Sequence, residues 1–174
     1  MKTLVIGLGN PILSDDGVGI YAARRVRAAL PPDAEVEVRE LAVGGLTLME
    51  AMIGYDRVIL IDALLTANGQ VGQVVQLDMS ELPDTLNTAS AHDVTLTAAL
   101  RLGRHLGAAL PADEHIHIVG VHVQDVWAFS DSPTAAVVRS LPQVEDLVLY
   151  LIGYARMAVV SPDYLINGGY DDFS

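Results

Sequence analysis

The sequence predicts a single α/β domain, a mostly parallel, twisted five-stranded sheet with helices on both faces. Three observations carry that expectation. Short runs rich in β-branched residues alternate with segments of helical periodicity, the pattern of strands buried on both faces beneath crossover helices. The chain has 174 residues, the size of one domain with a core large enough to stand alone. No internal repeat or low-complexity tract suggests a solenoid or a second unit.

The elements follow in order. The strands are expected at 3–7 (TLVIG), 36–41 (VEVREL), 57–62 (RVILID), 71–77 (VGQVVQL) and 115–121 (HIHIVGV). Between the first two, residues 18–30 bring Val18, Ala22, Val26 and Leu30 to one face at i, i+4 spacing, and Pro31 and Pro32 stop the helix. Further helices are expected at 46–53, 94–106 and 144–157, the last the most apolar. Pro133 suits the first turn of a short helix reaching Arg139. The domain is expected to occupy 1–160. The tail 161–174 has few apolar anchors and is expected to be mobile. The connection 78–91 is longer than the usual few residues, a length that goes with function or disorder, and it ends at His92.

Composition removes several function classes. Ten Lys and Arg against 22 Asp and Glu give a net charge of −12. Such a surface repels phosphate backbones and anionic lipid, so neither nucleic acid nor membrane is an expected partner. Cysteine is absent, which excludes disulfides, thiolate zinc sites and a cysteine nucleophile, and fits a reducing compartment. The mean hydropathy is +0.37, but the most apolar stretch, 147–160, contains Arg156 and is shorter than the roughly 18 residues of a membrane span. A cytoplasmic protein is expected, monomer or weak dimer.

The first strand runs into Gly7, Leu8, Gly9, Asn10 and Pro11, which invites a dinucleotide-binding reading. The third glycine of GxGxxG would be residue 12, which is Ile12, and Asp15 and Asp16 would oppose a phosphate at the helix start. The string GLGNP also resembles the opening of peptidyl-tRNA hydrolases, a distant alternative implying an esterase. That family continues with a histidine-containing catalytic cluster, whereas this chain reads Ser14, Asp15, Asp16, Gly17 and has its first histidine at His92.

Open parallel sheets bind ligands beyond the carboxyl ends of their strands. Asp16 lies in the turn after strand one, Asp62 closes strand three and His92 ends the long loop. Two carboxylates and an imidazole meeting there would suit a borderline divalent ion such as nickel or zinc, with positions left for substrate or water. Each residue also has a plain structural reading. Asp15 or Asp16 could cap the helix starting near Gly17, Asp62 could hold a loop amide, and Ser90 or Asp93 could cap the next helix, leaving His92 in solvent. His105, His115 and His117 read as packing or surface residues, and His122 is a reserve ligand at the end of strand five.

Taken together, Gly7-Leu8-Gly9-Asn10, Asp15-Asp16-Gly17-Val18-Gly19, Asp62 after an apolar strand and Ser90-Ala91-His92-Asp93-Val94 resemble the nickel-iron hydrogenase maturation endopeptidases, over residues 1 to about 142. The resemblance implies a metal-dependent hydrolase that removes a C-terminal extension from the precursor of the hydrogenase large subunit after nickel insertion. It also implies that nickel is carried by that substrate, with zinc or cadmium able to replace it in crystals. The family's metal-contacting and catalytic positions fall on Asp16, Asp62 and His92. The family more often has Glu at the position of Asp16. In the loop after strand two, where many members carry an aspartate, glycines and a threonine, this chain reads Ala42, Val43, Gly44, Gly45, Leu46, and Gly44 and Gly45 are the expected substrate-loop residues. A non-catalytic, nickel-dependent carrier or checkpoint protein for the precursor would use the same three ligands.

Overall fold

A computed structural model describes residues 1–65, 70–81, 94–130 and 132–154. His92, Ser90, Asp93 and the 161–174 tail lie outside the described residues.

Five strands, β1 Thr3–Leu8, β2 Val36–Leu41, β3 Arg57–Leu65, β4 Val74–Asp78 and β5 Ile116–Val123, form one sheet in the order β2-β1-β3-β5-β4. All neighbours are parallel except β4, which runs antiparallel to β5 at the edge. The α/β sheet expected from the sequence is therefore present. Helices α1 Val18–Ala29 and α4 Ala135–Leu151 cover one face, and α2 Gly45–Ala51 and α3 Leu96–His105 the other. The sheet's alternation divides the core accordingly. Val5, Ile59, Ile61, Val119 and Val121 pack under α1 and α4, whereas Leu4, Ile6, Val58, Leu60 and Ile118 pack under α2 and α3.

The buried stripe of α1 contains Val18, Ala22 and Val26, as its periodicity predicts. Several boundaries differ from expectation, among them the start of β4 at Val74 rather than Val71, and three of the differences have a visible cause. Strand β3 continues past Asp62 to Leu65 because β5 pairs with it up to Leu65↔Val123, although β1 stops at Gly7↔Ile61. Helix α3 starts at Leu96 rather than Val94, because the Thr95 hydroxyl accepts a hydrogen bond from the Ala98 amide and fixes the N-cap there.

The third difference is that the two helices expected at 133–139 and 144–157 are one, α4, with Pro142 inside it. Pro133 lies ahead of the helix, whose N-cap is Thr134. An interior proline removes a helical hydrogen bond at a cost of about 3 kcal/mol. Here it sits on the exposed side, and Val137, Leu141, Val144, Leu147 and Val148 bury a continuous stripe through it. That burial, at about 1.5–3 kcal/mol for each large apolar side chain, outweighs the missing bond. Helix α4 ends at Leu151, short of Met157, which lies outside the described residues. No described helix is long and apolar enough to cross a membrane.

Candidate active site

The chain leaves β1 at the point where the sheet reverses its order of assembly. From β1 it passes through α1 to β2 on one side, then returns across β1 to β3 on the other. The crevice between the carboxyl ends of β1 and β3 is thus the switch point at which open sheets bind ligands. The β1–β3 ladder ends at Gly7↔Ile61, one residue before Asp62.

A 3-10 turn, Ser14–Gly17, leads into α1 above this seam. It lies close because the sequence omits side chains where backbones meet. A Cβ on Gly9, whose φ is +123°, would stand 1.9 Å from the Asp16 carbonyl oxygen, and one on Gly19 would stand 2.3 Å from the carbonyl oxygens of both Leu8 and Ile61. These glycines therefore serve the packing of the chain on itself. The turn's anion site is also filled from within, since the Asn10 amide donates to Asp16 Oδ2 at 2.7 Å. A carboxylate stands where a dinucleotide would require its phosphate.

The two adjacent aspartates divide in role. Asp15, only 2% exposed, accepts from the Thr134 amide through Oδ1 (2.6 Å) and from the Thr134 hydroxyl through Oδ2 (3.1 Å). It thus satisfies the N-terminus of α4, 119 residues away, and not that of α1, whose N-cap Gly17 has no side-chain cap. Asp15→Ala is expected to lower stability by about 2–3 kcal/mol, because the amide and hydroxyl of Thr134, the N-cap of α4, lose a buried, charge-assisted partner. Thermal unfolding checks this; an unchanged Tm would contradict the role.

Asp16 faces the crevice. Burial raises its carboxyl pKa, opposed by the Asn10 amide bond. Asp62 is more perturbed. It is 2% exposed, and its pKa is pushed up to about 8, chiefly by burial; the Ala63 amide, donating to Oδ1 at 2.9 Å, lowers it, and the negative charge of Asp16 raises it. Near neutral pH this arrangement holds a proton on Asp62. A divalent cation at the crevice could displace that proton by supplying the charge that burial has removed.

The other expected residues are placed as follows. Gly44 is the N-cap of α2, and Gly45, with φ +51°, brings its backbone so close to Val94 that a Cβ would meet the Val94 carbonyl oxygen at 2.4 Å. The chain thus re-enters the described structure beside the carboxyl end of β2. His122 lies on β5 opposite Leu64, on the same sheet face as Asp62, with a buried Nδ1 that has no hydrogen-bond partner among the described residues. His115 precedes β5 in a 3-10 turn, and His117 is half-buried within the strand. Among the described residues, no group of three His, Cys, Asp or Glu side chains has the geometry to hold a metal ion. The described site is the Asp16 and Asp62 pair.

A family model described as hydrogenase maturation protease, HycI, matches residues 20–150. The chain belongs to the hydrogenase maturation protease family. This is a family of peptidases. The hydrogenase 2 maturation protease of Escherichia coli strain K12 is 31% identical over 110 residues, 62% of this chain. The match spans 66% of that relative, just under two thirds of its length. Among solved structures, hydrogenase maturating endopeptidase HybD from E. coli superposes with a TM-score of 0.72 at 25% identity, covering 88% of this chain and 93% of that one. A hydrogenase 2 maturation peptidase from a Thaumarchaeota archaeon gives 0.64 at 25% identity, covering 88% and 99%. The single α/β domain, with its five-stranded, mostly parallel sheet and four helices, matches the fold of HybD-like protease structures.

Proposed function

We propose that this maturation protease is an endopeptidase that removes the C-terminal extension of a nickel-iron hydrogenase large-subunit precursor, and that nickel already seated in that substrate is what it recognises. One observation supports this reading most. Asp16, in the turn after β1, and Asp62, on β3, stand at the carboxyl ends of neighbouring strands at the sheet's switch point, where burial and, secondarily, the charge of Asp16 raise the pKa of Asp62. A desolvated carboxyl group with a second carboxylate at the same rim favours the arrival of a cation.

In this account the substrate's nickel contacts Asp16, Asp62 and His92. Asp62 gives up its proton to solvent as the cation approaches. Docking fixes one peptide bond of the extension in the crevice beside Gly44 and Gly45. A water then attacks its carbonyl carbon, a carboxylate of the site takes the water's proton, and the leaving amine receives a proton as the C–N bond breaks. The two steps sum to hydrolysis. The protein needs no resident metal, and selectivity comes from the precursor.

The test is to incubate the purified protein with nickel-loaded and nickel-free precursor and weigh the products by mass spectrometry. A defined C-terminal loss from the loaded form alone is expected. An unchanged mass contradicts the protease reading and favours a carrier. His92→Ala is expected to reduce cleavage by at least about 100-fold with the circular dichroism spectrum unchanged; retained cleavage would remove His92 from the site.

A further inference from the structure

The rim bearing Asp16 also carries an apolar patch that the fold does not use. Trp127, the only tryptophan in the chain, is 71% exposed, Phe129 is 84% exposed and Ile12 is 58% exposed. They are held together. The Ser130 amide donates to the Ile12 carbonyl at 3.1 Å and the Ser14 amide donates to the Ser130 carbonyl at 3.2 Å, a parallel bridge that fastens the 127–130 loop to the turn two residues ahead of Asp16. Asp125 Oδ1 accepts from the amides of Trp127 (2.6 Å) and Ala128 (3.3 Å), which ties the backbone at the start of the loop. A large aromatic presented to solvent on a tied loop contributes nothing to the core, and such residues dominate binding energy where a partner covers them.

Charge narrows the partner. The described residues beyond the carboxyl ends of the parallel strands, 9–17, 42–44, 70–73, 124–130 and 132–134, contain no Lys or Arg, but they contain Asp15, Asp16 and Asp125. Of the described cations, Lys2 and Arg57 lie at the opposite end of the sheet and Arg24, Arg25 and Arg27 are paired to carboxylates along α1, while Arg139 is exposed in the second turn of α4. This rim therefore repels acidic chains and favours a peptide with basic residues beside its apolar ones.

We infer that Ile12, Trp127 and Phe129 form the platform on which an apolar, basic-flanked stretch of the precursor polypeptide docks beside the bond to be cut. The inference rests on the protease reading and names the chemistry of its substrate. An extended segment lying on the platform would continue directly to Asp16, so contacts made on the loop would set the register of the peptide in the crevice.

Two readouts separate this inference from the function itself. In steady-state processing of nickel-loaded precursor, Trp127→Ala combined with Phe129→Ala is expected to raise KM by about tenfold or more with little change in kcat, and with Tm unchanged because both side chains are exposed. Glu in place of the Lys and Arg flanking the precursor's extension is expected to raise KM similarly. In the second readout, titrating precursor into Asp62→Asn protein is expected to shift the Trp127 emission to the blue, with Trp127→Phe protein as the baseline. An unchanged KM for the double variant, an unchanged KM for the Glu-substituted precursor, or the absence of a spectral shift overturns the inference while leaving the protease reading intact. A blue shift on concentrating the protein alone also overturns it, since a second copy would then cover the patch. If wild-type protein leaves the precursor uncut, the protease reading fails and the fluorescence titration still decides the docking.

Discussion

Asp62→Asn is expected to lower kcat/KM for precursor processing by roughly 10³-fold and, at the same time, to make the metal-free protein more stable above pH 8. The first effect follows from the role proposed for the carboxylate, because an amide keeps the shape and the acceptor for the Ala63 amide but cannot supply a negative charge to a cation. The second follows from burial. Asp62 holds its proton up to about pH 8 in the folded protein, against a reference value of 3.8. Between those pH values the folded state binds more protons than the unfolded chain, so stability falls as pH rises and the loss is complete above pH 8. Asparagine is exempt. Its advantage over the wild type should grow from nearly nothing at pH 4 to on the order of 3–5 kcal/mol at pH 8.5. Urea unfolding of both proteins at the two pH values measures it. An equal difference at both would contradict the buried, protonated state assigned to Asp62. A gain in stability paired with a loss of processing is what a group kept for function produces.

Gly19→Ala is expected to cost more than about 3 kcal/mol, with a Tm lower by about 10 °C. The added methyl would lie 2.3 Å from two strand carbonyl oxygens, Leu8 on β1 and Ile61 on β3. Neither can move without opening the centre of the sheet, so α1 must lift. Lifting α1 also lifts the turn that carries Asp16, and processing should fall with stability. Gly54→Ala is the control. Gly54 has φ +82° but nothing within 4 Å of its Cβ position, so only backbone strain of about 1–2 kcal/mol is expected there, with no effect on processing. A Tm for Gly19→Ala within 2–3 °C of wild type would contradict the packing that places Asp16 over the seam.

Local physics made most of the fold legible. Strands written as unbroken apolar runs and an α1 stripe of Val18, Ala22 and Val26 need no tertiary information. The errors came where distant contacts override a local rule. Two helices are expected on either side of Pro142, at 133–139 and 144–157, yet the buried stripe carries one helix, α4, through it. Asp62 reads as the end of a strand, yet pairing with β5 extends β3 to Leu65. That Asp16 and Asp62 lie at one rim of the sheet is legible from their positions near the ends of strands, since parallel topology sends such residues to the same side. Asp15 was not separable from its neighbour by sequence, because its partner Thr134 lies 119 residues away and either aspartate suits a helix start equally well. The platform of Trp127 and Phe129 left no mark either, as no periodicity distinguishes an aromatic that will be exposed from one that will be buried.

In the proposed function Asp16 and Asp62 share one cation with His92 at the crevice between β1 and β3. Crystals of the protein soaked with nickel, with anomalous diffraction recorded at the nickel edge, address this directly. The expected result is a single strong peak with an oxygen of Asp16, an oxygen of Asp62 and a ring nitrogen of His92 each at about 2 Å, typical of carboxylate and imidazole ligands. A peak on surface histidines such as His105 alone, with Asp62 still out of reach of any metal, would contradict it.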